Sequence, residues 1–240
     1  MRKDRYRRQI IVKEFGLKGQ KTLGTKHAIL IGGGGLGSNS ANILIRMGIG
    51  SIDIVDYDTV DKTNLHRTSV FSEKDIGKYK ALVLKERLQP VNIDMQVRGI
   101  KKKVTSKNIE SLLSCSDIIL DGTDNIPLRL LINKKAVEHK IPWVYAGVHG
   151  TVGMVMGIIP KKTACFQCIS QNIPSINKET PVLGSLPMTI SSIQCNEAIK
   201  ILLGKQPAGL LIYDVWNQCF DRLDIKRNPN CPICGNKKKR

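Results

Sequence analysis

Two groups of residues in this 240-residue chain have the types and spacing to do chemistry. The first is a pair of Cys-x-x-Cys elements, Cys165-Phe166-Gln167-Cys168 and Cys231-Pro232-Ile233-Cys234. Such spacing lets each pair chelate one metal ion from a tight turn, and two pairs complete a tetrahedral thiolate shell for Zn²⁺. No ligand position is left open, so the expected role is structural: a clip between the C-terminal region and the segment after a sixth strand. A redox pair fits less well, because neither element sits in a thioredoxin-like pattern. A nucleic-acid-binding zinc ribbon is favoured by the basic tail and opposed by the long intervening sequence.

The second group begins at Gly32-Gly33-Gly34-Gly35-Leu36-Gly37, which comes after an apolar run and opens a helical pattern. Glycines there let the backbone turn tightly and approach a phosphate, which a helix N-terminus stabilises. The next apolar run ends at Asp56, where a carboxylate can accept hydrogen bonds from both ribose hydroxyls. These features alone indicate a nucleotide or dinucleotide. The residues beyond Asp56 depart from a dehydrogenase pattern. Asp56-Tyr57-Asp58-Thr59-Val60 leads to Thr63-Asn64-Leu65-His66-Arg67 and then to Lys80; later comes Asp121-Gly122-Thr123-Asp124-Asn125. Strand C-termini face the ligand crevice in open α/β sheets, so acids, Arg67 and Lys80 can converge there on a triphosphate. Hydride transfer has no need of that positive charge, whereas nucleotidyl transfer does.

The elements that must position these residues alternate. Apolar runs at His27 to Ile31, Ser51 to Asp56, Met95 to Ile100, Ser116 to Asp121 and Trp143 to Val148 read as strands. Helical patterns at Leu36 to Met47, Lys78 to Leu88, Ser106 to Ser114 and Arg129 to His139 lie between them. Alternation of this kind predicts an α/β, Rossmann-like, doubly wound and mostly parallel sheet. Beyond Val148, an extra strand from Gly150 to Pro160 precedes an aperiodic stretch, Ser170 to Pro181. A helix, Ser191 to Leu203, stops at Gly204, and antiparallel strands come next at Leu210 to Val215 and Phe220 to Ile225.

Lys and Arg number 38 against 20 acids, a net charge of +18, clustered at Arg5 to Arg8, Lys101 to Lys103 and Lys237 to Arg240. That surface attracts polyanions, an acidic protein among them. Aromatic residues form 5% of the chain and none interleaves these clusters, which disfavours a stacking platform for single-stranded nucleic acid. The longest apolar run, Thr151 to Pro160, is too short to span a bilayer, and the basic N-terminus has no apolar stretch behind it, so a cytoplasmic protein without a membrane partner is expected.

The ordered set of Arg5-Tyr6-Arg7-Arg8-Gln9-Ile10, the glycine loop, the Asn-Leu-x-Arg element, Thr-Asp-Asn, the cysteine pairs and Asn228-Pro229-Asn230-Cys231 resembles the ThiF/MoeB/HesA group of ubiquitin-activating-like adenylyltransferases. That resemblance implies one domain over 1–240: an N-terminal helical segment (1–26), a nucleotide-binding half (27–150) and a zinc-bearing, carrier-binding half (151–240). It implies ATP contacts from Gly32, Gly34, Gly35, Gly37, Asp56, Asp58, Asn64 and Asn125, phosphate contacts from Arg67 and Lys80, and Mg²⁺ on Asp124. Arg8 matches an arginine that reaches into the partner subunit's site, which implies a homodimer. The implied substrate is a small ubiquitin-like sulfur-carrier protein ending in Gly-Gly. Ser170 to Pro187 holds no cysteine, and Asn177 lies near where relatives carry one, so a separate sulfur donor is implied.

Cys115 and Cys195 read as core residues, and Cys219 has no evident partner between the last strands. His27, His66, His139 and His149 need no catalytic role, since a carboxylate nucleophile is already ionised at neutral pH. Three other readings compete: adenylation of a peptide or tRNA base, an NAD-binding oxidoreductase, and a non-enzymatic scaffold.

Overall fold

In the computed structural model, residues 4–170 and 181–235 are described; Asn177 and the tail from Lys237 lie outside them. Eight strands form one sheet in the order β3-β2-β1-β4-β5-β6-β7-β8. The strands are β1 (His27–Ile31), β2 (Ser51–Val55), β3 (Gln96–Ile100), β4 (Ile118–Asp121), β5 (Trp143–His149), β6 (Val152–Ile158), β7 (Leu210–Asp214) and β8 (Cys219–Leu223). The first five in that order run parallel, and β6, β7 and β8 add antiparallel hairpins at the β5 edge. The doubly wound, mostly parallel sheet with its antiparallel extension is the expected one.

Largely apolar runs make β1, β2, β4 and β5, where both faces of the sheet are covered. Ala28 and Leu30 of β1 face a core shared with α3 (Gly35–Met47), α4 (Lys80–Leu88) and α7 (Ser185–Leu202). Ile29 and Ile31 face a second core with α5 (Ile109–Leu113), α6 (Ile126–His139) and Phe166 between the first two cysteines. The N-terminal segment forms α1 (Arg7–Ile10) and α2 (Gly16–Leu23).

Some boundaries differ from the periodicity. Helix α6 starts three residues before Arg129, because the Asn125 side chain accepts from the Leu128 N–H at 2.9 Å and Pro127 sits in the first turn. There a missing N–H costs nothing. For the same reason Pro187 is accommodated near the start of α7, which begins at Ser185 instead of Ser191. Cys195 is fully buried on α7, as expected. Cys115 is exposed, which corrects its core assignment: it lies in the turn between α5 and β4, its carbonyl 2.9 Å from the His27 ring and its Sγ 3.8 Å from Ser114 Oγ. Cys219 opens the exposed strand β8. No described helix is long and apolar enough to cross a membrane.

Candidate active site

Strand β1 pairs with β2 on one side and β4 on the other, and the crossovers leave in opposite directions. At that switch point, beyond the strand C-termini, lies a cavity of about 880 Å³. Its floor is the glycine loop. Gly32 has φ +94° and approaches Gly122 so closely that a Cβ would sit 2.5 Å from the Gly122 carbonyl. At Gly34 a Cβ would meet nothing within 4 Å, so the backbone there faces open cavity. Gly34 is also the N-cap of α3, and no side chain caps that helix. The first-turn N–H groups are therefore left to an anionic ligand. Gly35 lines the cavity beside the Arg67 side chain. Gly37 does not line it: a Cβ there would lie 1.9 Å from the Gly32 carbonyl, so this glycine lets α3 pack beneath the loop.

Asp56, just past β2, is 8% exposed and held on both oxygens. Gly33 N–H donates to Oδ2 at 2.6 Å and Asp58 N–H to Oδ1 at 2.7 Å. Burial pushes its carboxyl up, against those two bonds and the nearby Lys80. The fixed carboxylate keeps lone pairs free for a diol. Lys80 opens α4 with its ammonium 3.5 Å from Asp58. Asn64 and Arg67 come from a 3₁₀ turn, Lys62–Arg67, closed by a reciprocal cap between Asp61 and Asn64. The Arg67 guanidinium donates to the Thr63 carbonyl. Burial lowers its pKa, partly offset by Asp124 and Asp61. Asp124 and Asn125 lie on the exposed rim, Asn125 spending its side-chain oxygen on the α6 cap. Tyr57 is raised by Asp58, then by burial, then by Asp56 and Asp124, so all three carboxylates act on one side of the mouth.

The cavity thus brings together Gly32, Gly34, Gly35, Asp56, Asp58, Asn64, Arg67, Lys80, Asp124 and Asn125. It does not include Arg8. The neighbouring Gln9 donates to the Met47 carbonyl at 3.0 Å, at the far end of α3 from the glycine loop. A 13-residue helix is about 20 Å long, so Arg8 stands too far away to serve its own cavity.

Several residues that brace the site gave no motif in the sequence. Asn39 on α3 donates to the carbonyls of Gly35 (2.6 Å) and Arg67 (3.1 Å) and accepts from Ser69, tying the glycine loop to the arginine turn. Arg129 on α6 donates to Asp121 at 2.9 Å, to the Thr123 carbonyl and to the Ala146 carbonyl at 3.0 Å, fixing the loop that carries Asp124. Gln194 on α7 donates to the carbonyls of Asp121 (2.8 Å) and Val144 (3.0 Å) beneath them. Lys102 and Lys103 also line the cavity. Lys101 lies 3.4 Å over the Tyr79 ring and Lys103 5.3 Å over Tyr57, so aromatic partners reach the lysine cluster from other elements. A signal was available: the cluster comes directly after β3, where ligand-facing residues collect.

Against Asn133 on the buried face of α6, the sulfurs of Cys165, Cys168, Cys231 and Cys234 all lie within 4.8 Å of one another. Cys165 and Cys231 are 3.7 Å apart, and Cys168 and Cys234 3.5 Å. A zinc tetrahedron with Zn–S of about 2.3 Å has S···S edges of about 3.8 Å, close to these two distances, so the cluster could hold such an ion. Four soft donors packed against Phe166 and Ala164 can hold a metal and leave no ligand position for chemistry.

A glycine loop at an uncapped helix N-terminus, a buried and fixed carboxylate and basic side chains around one cavity, at the switch point of a doubly wound sheet, are the setting of a nucleotide-binding α/β protein. The chain belongs to the ThiF family, whose model matches residues 6–233. It is 35% identical to a sulfur carrier protein adenylyltransferase of Thermus thermophilus, over 97% of this chain and 90% of that protein. It is 33% identical to a SAMP-activating enzyme E1 of Haloferax volcanii (97% and 88%) and 32% identical to a sulfur carrier protein ThiS adenylyltransferase of Escherichia coli (96% and 94%). The crystal structure of E. coli MccB with AMPCPP and MccA matches at TM-score 0.86 and 25% identity, over 98% of this chain and 75% of that one. The chain is an adenylyltransferase of the E1-like type.

Proposed function

We propose that this enzyme uses MgATP to adenylate the C-terminal glycine carboxylate of a small ubiquitin-like sulfur-carrier protein ending in Gly-Gly, releasing pyrophosphate. The product would serve sulfur transfer for thiamin, molybdopterin or a related cofactor. The observation that carries this reading is the convergence of Arg67, Lys80, Asp56 and Asp124 with the glycine loop in one cavity.

In this reading the glycine-loop amides and the α3 N-terminus cradle the triphosphate, and Asp56 accepts from the ribose hydroxyls. Asn64, Arg67 and Lys80 hold phosphate oxygens, with Asp58 releasing Lys80 as the nucleotide enters. Lys102 and Lys103 add positive charge on the β3 side. Asp124 at the open rim would hold Mg²⁺, which would supply charge neutralisation for the phosphates. The apolar end formed by Val148, Val182 and Pro187 receives the extended glycine tail.

A carboxylate oxygen of the carrier attacks the α-phosphorus, forming the acyl–O–P bond. The bond to the bridging oxygen breaks, and its electron pair leaves with pyrophosphate. Two anions must approach, so the cations orient and screen them, and catalysis rests on positioning and electrostatics. No proton moves at the nucleophile, in keeping with the lack of a histidine among the described residues that line the cavity.

Arg8 complements the site of a second copy, in a homodimer; its separation from its own cavity supports this. The four cysteines hold a structural Zn²⁺, and the chain acts as one catalytic unit over 1–240. A separate sulfur donor completes the transfer, and the setting is cytoplasmic. A peptide substrate is the second reading, favoured by the match to MccB solved with MccA. Mass detection of a carrier–AMP adduct across a panel of Gly-Gly carriers, with a peptide and a tRNA as comparators, separates these. A carrier adduct is expected, and an adduct with the peptide or tRNA alone would replace the proposal.

A further inference from the structure

Helix α6 borders both the nucleotide cavity and the cysteine cluster. Its N-cap Asn125 sits next to Asp124 at the cavity rim, and its buried face carries Arg129, Ile132, Asn133 and Ala136. Residues four apart lie above one another on a helix, so Arg129 and Asn133 are two polar anchors on one buried stripe. Arg129 reaches toward the cavity: it holds Asp121, the Thr123 carbonyl and the Ala146 carbonyl. Asn133 reaches toward the cysteines. It is fully buried, accepts the Phe166 N–H at Oδ1 (2.9 Å) and places Nδ2 3.5 Å from Cys165 Sγ.

The Asn133 orientation is dictated by its partners. A backbone N–H can only donate, so the amide oxygen must face Phe166 and the NH₂ group must face the sulfur. Sulfur is a weak acceptor as a thiol and a stronger, charge-assisted one as a metal-bound thiolate. The amide therefore favours the metal-loaded cluster and grips the first cysteine turn at two points. One turn earlier on the same stripe, Arg129 fixes the carbonyl of the residue before Asp124.

We propose that Asn133 is a positioning residue that couples metal occupancy of the cysteine cluster to nucleotide binding, through one turn of α6 and the Arg129–Thr123 contact. The coupling rests on the cavity being the ATP site. A filled cluster holds Asn133, Asn133 and Arg129 hold the start of α6, and Asp124 is thereby kept at the rim. Because coupling free energies are reciprocal, bound nucleotide must tighten the metal as much as the metal tightens the nucleotide.

The test uses the zinc-loaded protein and a competing chromophoric chelator, with and without ATP, for wild type and two variants. Asn133→Asp keeps the acceptor for Phe166 and removes the donor to sulfur. Asn133→Leu removes the donor at similar volume without adding charge, giving up the acceptor for Phe166 as well, so it serves if the aspartate variant does not fold. Loss of such an outer-shell donor is expected to weaken zinc roughly 10–100-fold. ATP is expected to tighten zinc in wild type by about 5-fold or more, a ratio that falls towards one in the folded variants. Replacing zinc with Co²⁺ gives a second reading, since the thiolate-to-metal absorption should shift in the variants with or without ATP. Wild-type zinc affinity in the variants would overturn the role of Asn133. Bound ATP that leaves wild-type zinc affinity unchanged would overturn the coupling alone, and failure of ATP to bind would overturn the nucleotide site and the coupling with it.

Discussion

The Arg129 guanidinium lies 2.9 Å from the Asp121 carboxylate with side chains 3% and 0% exposed, and this pair fixes the loop that carries Asp124. Burial pushes the Asp121 carboxyl up, opposed by Arg129 and Thr123, so the charged form depends on its partners. Removing one member leaves the other uncompensated. Arg129→Met should cost about 3–5 kcal/mol, read as a loss of denaturant midpoint. A midpoint close to wild type would mean the pair contributes little.

Arg67→Ala and Asp124→Ala remove side chains at the cavity, not in the cores. Both should keep the wild-type melting temperature and lose adenylate formation by about 10²-fold or more, as expected when charge stabilisation of the transferring adenylyl group and departing pyrophosphate is removed. Full activity of Asp124→Ala with Mg²⁺ would displace the metal assignment.

The glycines separate folding from binding. Gly37→Ala places a Cβ 1.9 Å from backbone and should prevent α3 from docking, so little folded protein is expected. Gly34→Ala meets nothing in the protein and should fold normally while weakening ATP, which must approach that backbone. Calorimetric titration of the folded variant with ATP checks this, and unchanged affinity would move the phosphates elsewhere.

Cys231→Ser should lower stability sharply, because structural zinc contributes apparent binding energies of about 10 kcal/mol or more. A strong chelator should reproduce the effect in wild type. Melting unaltered by either treatment would remove the structural role of the cluster.

Two acid–base groups should shape stability in opposite pH ranges. His27 is raised above its ordinary 6.5 mainly by Asp53, whose carboxylate lies 3.3 Å from its Nε2, so the folded state holds that proton more tightly. Its contribution is full below about pH 6.5 and disappears as pH climbs through the folded value. Asp75 behaves the other way: burial would raise it, but Arg87 and Ser72 outweigh burial and lower it from 3.8 to about 2. That contribution is present above about pH 4 and is lost as pH falls towards 2. Thermal melts across pH should show both limbs, His27→Gln flattening the upper one and Asp75→Asn the lower. A variant that leaves its limb unchanged would dismiss that group.

Much of this was legible in the sequence because it is local. The glycine loop, the strand ending at Asp56 and the Cys-x-x-Cys turns each announce themselves within a few residues. The illegible parts depend on partners far apart in the chain. Asn39 reads as one polar residue in a helix until Arg67, 28 positions on, comes to rest against it. Gln194 meets Asp121 across 73 positions, and Asn133 meets Cys165 across 32. Cys115 was misread because it stands just before an apolar strand, while the turn that holds it lies at the surface.

Mixing Arg8→Ala with Arg67→Ala protein addresses the proposed dimer. If Arg8 acts across an interface, heterodimers hold one intact site and should recover part of the lost activity. No recovery at any ratio would confine the arginine to another role.

The most direct test of the central claim is ATP–pyrophosphate exchange with Mg²⁺ and a panel of Gly-Gly carriers. The account predicts exchange that requires a carrier, vanishes when its terminal glycine is removed, and is lost in Arg67→Ala. Exchange supported by no carrier on the panel, in protein that binds ATP, would contradict it.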